Sequence, residues 1–149
     1  MIDDTDKKIL DILQRDVNTP LREIGAVLNI SAPAVFKRIK KMKKMGIIRR
    51  ETVIIDPKTV GMDLIGFVGI AAELDKLDKI VSTLMDIKGV LGIYLITGEF
   101  DILIKVIARD MKSFRDIVLH KINEIDGVVR TTTMISFETK KDTNYIPLL

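Results

Sequence analysis

The densest group of side chains that could do chemistry is cationic, and it lies in residues 31–46. Val35, Ile39 and Met42 recur there at helical spacing, which predicts a helix with one narrow apolar stripe. Lysine and arginine fill the other faces, and no acidic residue occurs from 32 to 50. A helix that is buried along one side and cationic elsewhere suits the phosphate-lined major groove of DNA. The alternative is an ordinary lysine-rich surface helix, so the neighbouring elements must decide.

The side chains predicted to contact DNA belong to this helix and to its N-cap. Lys37 points outward and could reach a base edge, whereas Arg38 lies beside the apolar stripe and is expected to hold a phosphate or a neighbouring acid. The full predicted set is Ser31, Ala32, Ala34, Phe36, Lys37, Arg38, Lys40, Lys41 and Lys44.

Two shorter helical patterns come before the basic helix. Residues 3–15 have an apolar side and acids in the first turn. A second short helix is predicted to restart at Thr19-Pro20, with Thr19 at the N-cap and Pro20 at the first helical position. A tight connection at Asn29-Ile30 then leads into the basic segment. Two compact helices, a short turn and a cationic third helix predict a helix-turn-helix, which places its last helix in the major groove.

The rest of the chain alternates between strand and helix patterns. The segment 47–55 is rich in β-branched residues and is predicted to form a strand pair or a wing, and 56–62 is the predicted hinge. Helices are expected after Asp75 and Asp110, and the predicted strands cover 64–74, 90–97, 102–108 and 128–140. The predicted fold class is therefore α+β, with a winged helix-turn-helix domain in 1–55 and a ferredoxin-like βαββαβ domain in 63–149.

Charge and composition narrow the function classes. Residues 1–60 carry 13 Lys/Arg against 8 Asp/Glu, whereas residues 61–149 carry 11 against 13, so only the first part is expected to meet a polyanion. The chain has no cysteine, no apolar run long enough for a membrane span and no secretory signal pattern. We therefore expect a cytoplasmic protein that does not bind a membrane.

Enzymatic and RNA-binding functions have little support. His120 is the only histidine and lies among charged residues, and Glu99 and Asp101 have no partner at metal-ligand spacing. Gly66 and Gly69 lie within a strand, where they predict close packing rather than a phosphate loop. A ferredoxin-like RNA-binding domain needs exposed aromatic residues on its central strands, and the predicted strand 102–108 has none.

Taken together, the two halves resemble the Lrp/AsnC (feast/famine) family of transcription regulators. In the first half, the residues that match the family pattern include Ile2-Asp3, Glu23-Ile24, Arg38-Ile39 and Asp56-Pro57. In the second half it rests on the turn Thr97-Gly98-Glu99-Phe100-Asp101 and on Gly127-Val128 followed by Arg130-Thr131-Thr132-Thr133.

The resemblance implies double-stranded DNA as a partner, a free amino acid as effector, no cofactor, and a homodimer that assembles further, with an octamer expected. It places the effector beside Gly98, Glu99, Phe100, Asp101, Thr131, Thr132 and Thr133. Asp101 or Glu99 could pair an ammonium group, and Gly98 and the threonines could donate to a carboxylate. Two alternatives remain open, namely an amino-acid-binding subunit that regulates an enzyme by contact and an effector-independent DNA-organising protein.

Overall fold

The computed structural model describes residues 2–148, which form two compact units. The first unit contains residues up to 54 together with the tail from 141, and the second contains 55–140. The chain therefore passes between the units twice. The sequence analysis assigns the tail to the second domain, but the tail packs on the first unit. Met1 and Leu149, the ends of the predicted domains, lie outside the described residues.

The first unit is built on three helices, α1 (Asp4–Arg15), α2 (Leu21–Leu28) and α3 (Ala32–Lys44). The start of α1 is fixed by a capping box, in which Asp3 and Asp6 each accept a hydrogen bond from the other's backbone amide. The helices enclose one apolar core, which consists of Ile9, Leu10, Ile24, Val35, Ile39 and Met42. The predicted helix-turn-helix is thus confirmed.

Two local predictions in this unit were wrong. Pro20, not Thr19, occupies the N-cap of α2, and the Thr19 hydroxyl donates to the Asp16 carbonyl at 2.8 Å instead. Residues 47–55 contain no strand, so the strand pair predicted there is absent. β-Branched residues favour an extended backbone, but a ladder also needs a neighbouring strand to hydrogen-bond.

The second unit contains a four-stranded antiparallel sheet in the order β2-β3-β1-β4. Its main elements are β1 (Leu64–Ala72), α4 (Leu77–Met85), β2 (Val90–Leu95), β3 (Ile102–Ala108), α5 (Met111–Asp116), a π-helical segment (Ile117–Ile122) that continues α5, and β4 (Val128–Ile135). Short 3-10 helices occupy Lys58–Val60 and Leu74–Lys76. The predicted βαββαβ order is confirmed, and the first, second and fourth strands end earlier than predicted.

Both long helical elements cover the same face of this sheet. Ile80 of α4 and Phe114 of α5 pack with Val68 and Ile104 from the covered face in one buried core. The opposite face carries alternate residues such as Tyr94 and Met134, which remain exposed in this unit. The sheet therefore has one covered face and one open face.

The two strand glycines allow close packing, as predicted. A Cβ added at Gly66 would lie 2.5 Å from the Phe114 ring, and one added at Gly69 would lie 2.5 Å from the Phe100 ring. Gly66 thus admits an aromatic side chain against the covered face of β1, and Gly69 admits one against the open face. No helix among residues 2–148 is long and apolar enough to cross a membrane.

Candidate DNA interface and effector site

Helix α3, the last and cationic helix of the helix-turn-helix and thus its recognition helix, is held in place by its apolar stripe and by its first turn. Val35, Ile39 and Met42 are buried in the core of the first unit. The Ser31 hydroxyl accepts a hydrogen bond from the Ala34 amide at 3.3 Å, which satisfies one of the unpaired amides at the helix start. These contacts hold one side of α3 and leave its other faces outward.

The turn before α3 depends on a glycine that the sequence analysis did not single out. A Cβ added at Gly25 would lie 2.6 Å from the Ile30 carbonyl oxygen, a distance that real side chains do not adopt. The Ile30 amide donates to the Gly25 carbonyl at 2.9 Å, and Asn29 between them is left-handed, with φ of 55°. The absence of a side chain at Gly25 thus lets α2 approach the start of α3 and helps to set the angle between the two helices. A glycine inside an otherwise apolar helix was the available signal.

The outward surface of α3 is cationic. Because a helix turns about 100° per residue, Lys37, Lys40 and Lys44 lie on the side opposite Val35, and Lys41 lies beside them. These four lysines are exposed and have no ion-pair partner among residues 2–148. The remaining lysine of the helix, Lys43, pairs with Glu51 at 2.9 Å. The four lysines thus form an outward cationic face.

The other residues of the predicted DNA-binding set flank this face or lie at the start of the helix. Phe36 is 56% exposed, an unusual position for a phenyl ring beside so many charges. Ser31 is exposed, and Ala32 and Ala34 are half-buried in the first turn. Small side chains at the start of a helix allow the backbone to approach a neighbouring surface closely.

Arg38 differs from the rest of the predicted DNA-binding set because its guanidinium already pairs with two carboxylates of the first unit. Its Nη1 donates to Asp3 Oδ2 at 2.7 Å and to Asp6 Oδ1 at 2.8 Å. The guanidinium holds the pKa of Asp3 below its ordinary value by hydrogen bonding to that carboxylate. The side chain of Asp6 is only 3% exposed. Of the two roles that the sequence analysis left open for Arg38, the structure shows the neighbouring acid, and this contact fastens α3 to the start of α1.

The predicted effector turn is held by the residue at its end. The Asp101 amide donates to the Ile70 carbonyl at 3.0 Å, and Asp101 Oδ2 accepts from the Ala72 amide at 2.8 Å. These bonds attach the turn to the end of β1, where the pairing with β4 shifts register. Gly98 has φ of 127° and open space around it. One carboxylate oxygen of Asp101 is thus committed to the fold.

The predicted effector residues lie on both faces of the sheet rather than on one. Thr132 lies opposite Gly69 in the ladder, on the open face that also carries Phe100. Thr131 and Thr133 alternate with it and face the helices, since side chains of a strand point to opposite faces in turn. The Thr131 hydroxyl donates to Asn123 Oδ1 at 2.7 Å. The seven residues therefore do not form one cluster within this chain.

One charged neighbour of the turn was missed by the sequence analysis. Arg130 Nη2 lies 3.5 Å from Glu99 Oε1, and both side chains are exposed. Arg130 precedes Thr132 by two residues, so it lies on the same face of β4, and that spacing was the available signal. The turn and β4 therefore present a carboxylate and a guanidinium side by side.

A separate apolar cavity lies between α5 and β4 on the covered side. Its volume is ≈ 210 Å³, which is below the roughly 300–1,000 Å³ of usual ligand pockets. Its lining residues are Met111, Phe114, Arg115, Val118, Leu119, Thr133 and Ile135. Thr133 is thus the one member of the predicted effector set in this cavity.

The structure also shows the surroundings of the histidine and of the possible metal ligands considered in the sequence analysis. His120 is exposed on the π-helical segment, 3.4 Å from Glu124, as a surface residue would be. Within the described range 2–148, no three His, Asp or Glu side chains are grouped so as to hold a metal ion.

Comparison with known proteins agrees with both units. Residues 2–49 match the family model of the winged helix-turn-helix DNA-binding domain, and residues 65–146 match that of the Lrp/AsnC ligand binding domain. The HTH-type transcriptional regulator LrpA of Pyrococcus abyssi is 38% identical, over 95% of this chain and 100% of the relative.

Solved structures show the same fold over almost the whole chain. AsnC of E. coli superposes with a TM-score of 0.93 at 28% identity, covering 99% of each chain. A transcriptional regulator from Neisseria meningitidis, solved as a complex with L-Met, also gives 0.93, at 25% identity over 99% of this chain and 97% of that one. With a cationic helix-turn-helix and this second domain, the chain belongs to the Lrp/AsnC family and is a DNA-binding transcriptional regulator.

Proposed function

We propose that this regulator binds operator DNA through the outward face of α3, and that a free amino acid bound at the turn 98–101 changes its DNA binding or its assembly. The observation that carries the proposal is the face formed by Lys37, Lys40, Lys41 and Lys44, which is exposed and lacks internal ion pairs within residues 2–148. Phosphate contacts from such lysines release counterions from DNA, and this release drives binding.

Base recognition is assigned to one of these lysines, Lys37, and to its neighbour Phe36. Lys37 lies near the N-terminal half of α3, the part that enters the major groove in helix-turn-helix proteins. Phe36 offers an apolar surface for a thymine methyl group. Arg38 is instead a positioning residue, because its charge is spent on Asp3 and Asp6.

The effector proposal rests on the pair Glu99 and Arg130. A free amino acid carries an ammonium and a carboxylate on one carbon, so adjacent groups of opposite charge suit it. We assign the ammonium to Glu99 and the carboxylate to Arg130, which lie 3.5 Å apart and would separate around the ligand. Asp101 positions this turn through its bond to the Ala72 amide. The match to a ligand binding domain and the L-Met complex of the Neisseria relative support an amino acid as the ligand class.

A homodimer is the proposed minimum assembly, formed through the open face of the sheet. Tyr94 and Met134 are exposed on that face, and half-buried Phe67 and Leu103 lie between them. A sheet face that exposes several large apolar side chains is rarely left in water. Two such faces packed together would also bring in the turns 98–101 from both copies, and further assembly to an octamer is expected from the family.

DNA titrations at several salt concentrations test the DNA half of the proposal. A selected operator and a random duplex of equal length are compared by fluorescence anisotropy. We expect tighter binding to the operator and a steep salt dependence. Equal affinity for both duplexes would favour a DNA-organising protein, and no DNA binding would favour a subunit that acts by protein contact.

A melting-temperature screen tests the effector half. Each of the twenty L-amino acids is added to the full chain, and one that binds only the folded state raises the melting temperature. Light scattering with and without that amino acid then measures the change in assembly. If no amino acid raised the melting temperature, the effector proposal would fail.

A further inference from the structure

The end of the chain is fastened to α1 through its backbone. Gln14 Nε2 donates to the Ile146 carbonyl at 3.0 Å, and the Ile146 amide donates to Gln14 Oε1 at 2.8 Å. A side-chain amide that makes both bonds holds the main chain in one place along the helix, whatever the side chain of the bound residue. Residues 141–148 contain no helix or strand, so contacts such as these bonds, rather than regular secondary structure, position the segment.

A tyrosine completes the attachment one residue earlier. The Tyr145 hydroxyl donates to the Asp11 carboxylate, and the Arg15 guanidinium lies over the Tyr145 ring, 5.9 Å from its centroid. Arg15 also pairs with Asp11 at 3.2 Å. The Tyr145 hydroxyl, together with Arg15, lowers the pKa of Asp11. Asp11, Gln14 and Arg15 share one side of α1, because residues three and four apart are neighbours on a helix.

The same tail reaches the core of the DNA-binding unit. Leu148 is half-buried and packs against the apolar cluster that contains Ile9 and Ile39. Tyr145 remains 37% exposed and Ile146 62% exposed. A segment held by exposed hydrogen bonds and one apolar anchor opens far more easily than a core element does.

The other end of this tail is continuous with the proposed effector strand. The Ser136 amide donates to the Ile65 carbonyl at 2.9 Å, so the sheet holds the chain to that point. Residues 137–140 are exposed, and the first unit begins again at 141. Four residues span only about 3.5 Å each even when extended. A movement of β4 therefore reaches the tail through a very short tether.

The helix that receives the tail also positions the recognition helix. Asp3 and Asp6, at the start of α1, hold Arg38 of α3, and Ile9 lies in the core that α3 shares. The two units are joined along the chain near residue 55 and again near residue 141, so the anchored tail gives the first unit a second covalent link to the sheet.

We propose that residues 141–148 form a releasable clasp on α1, and that this clasp carries the amino-acid response from β4 to the DNA-binding unit in parallel with the hinge 56–62. The inference rests on the proposed function, because it needs an effector that binds beside β4. The effector acts by binding more tightly when the clasp is in one of its two states, engaged or released, than in the other.

The simpler alternative is that the tail only adds to the stability of the first unit. In that case, a longer tether that keeps every contact residue would change neither the operator affinity nor its response to the ligand. Loss of the clasp would then lower the melting temperature but would leave the ligand response intact. The two readings therefore differ in a measurable way.

A tether variant and a clasp variant of the full chain test the proposal. The first inserts Gly-Ser-Gly-Ser between Lys140 and Lys141, which leaves all clasp and effector residues unchanged. The second is Gln14→Ala, which removes both bonds to Ile146. The matched controls are the same four residues added after the C-terminus and Lys8→Ala, an exposed site on α1. Operator affinity is measured without ligand and with the amino acid that most raises the wild-type melting temperature.

We expect the wild type and both controls to show a ligand-induced change in operator affinity within the roughly 5- to 150-fold range of allosteric coupling. The tether variant should bind the ligand-free operator as the wild type does and should lose most of the change, because β4 no longer moves the clasp. Gln14→Ala, which favours the released clasp, should show nearly the same operator affinity with and without ligand, equal to one of the two wild-type affinities. A full response in the tether variant would overturn the proposal, as would an operator affinity of Gln14→Ala that still changes with ligand as in the wild type. If the amino acid bound the wild type but left its operator affinity unchanged, the proposed response would fail, and the clasp inference with it.

Discussion

Arg38 of the recognition helix donates to the buried carboxylate of Asp6 at 2.8 Å, and the same nitrogen reaches Asp3 at 2.7 Å. A cation in the most basic stretch of the chain is thereby paired with carboxylates of the same protein rather than left for a phosphate. The carboxylates belong to the capping box of α1, so one guanidinium joins the start of one helix to the middle of another.

Replacing Arg38 should destabilise the first unit in a pH-dependent manner. Arg38→Ala leaves the Asp6 carboxylate buried without its cation, which costs about 1–3 kcal/mol of unfolding free energy near neutral pH. The folded-state pKa of Asp3 lies below its ordinary 3.8, so the pair stabilises the fold above that pH and stops doing so as pH falls through the folded-state pKa. Urea titrations at pH 7 and at pH 3 should therefore show a smaller difference between variant and wild type at pH 3. Lys7→Ala, which breaks only the exposed pair with Asp4, is the control and should change little.

Lysines on the outward face of α3 should set the salt dependence of DNA binding. In a dimer, Lys40→Ala or Lys44→Ala removes two cations, which should reduce the log–log salt slope by about 1.8 if both copies contact phosphate. Lys43→Ala is the matched control, because Lys43 already pairs with Glu51 at 2.9 Å. If Lys43→Ala and Lys44→Ala reduced the salt slope of DNA binding equally, the pairing of Lys43 with Glu51 would not distinguish a lysine that contacts phosphate from one that does not.

Phe36 should recognise a thymine methyl group. Replacing thymine by uracil at one operator position removes only that methyl, which should weaken wild-type binding by about 0.8 kcal/mol, roughly fourfold. Phe36→Ala should bind the two duplexes equally, so a double-mutant cycle between protein and DNA isolates the contact. If no thymine in the operator shows this coupling, Phe36 does not make the contact.

Asp101 and Glu99 should separate folding from ligand binding. Asp101→Ala leaves the Ala72 amide without its partner and should lower the melting temperature of the ligand-free protein. Glu99→Gln keeps the size of an exposed side chain but loses its charge, so it should leave that temperature unchanged. It should weaken amino-acid binding by about 1.5–3 kcal/mol in isothermal titration. Wild-type amino-acid affinity in Glu99→Gln would remove Glu99 from the ammonium site.

Gly25→Ala should impair DNA binding without touching the DNA-contacting face. Alanine favours helix by about 1 kcal/mol over glycine, but its Cβ would lie 2.6 Å from the Ile30 oxygen, so the turn must open. We expect a lower melting temperature and a weaker operator affinity together. Gly25→Ser, with a larger side chain at the same point, should be worse. Wild-type operator affinity in Gly25→Ala would show that this turn tolerates the shift.

Much of this protein was predictable from its sequence, because short-range patterns determine its elements. The cap at Ser31 and the stripe Val35, Ile39 and Met42 are enough to predict α3, and the alternation after residue 63 predicts βαββαβ. The family resemblance then predicted the two activities. The close packing at Gly66 and Gly69 followed from glycines inside apolar strands.

The arrangement of the candidate sites and of the tail was decided by contacts between residues far apart in the chain. Arg38 meets Asp3 across 35 residues, Ile146 meets Gln14 across 132, and Arg130 meets Glu99 only when the sheet brings its last strand beside the turn. No local pattern encodes which distant partner will satisfy a charge or an amide. Strand alternation likewise split Thr131 and Thr133 from Thr132, although the three are consecutive. Tertiary structure decided these partners and faces, because the groups that a side chain can contact depend on which distant segments the fold brings beside it.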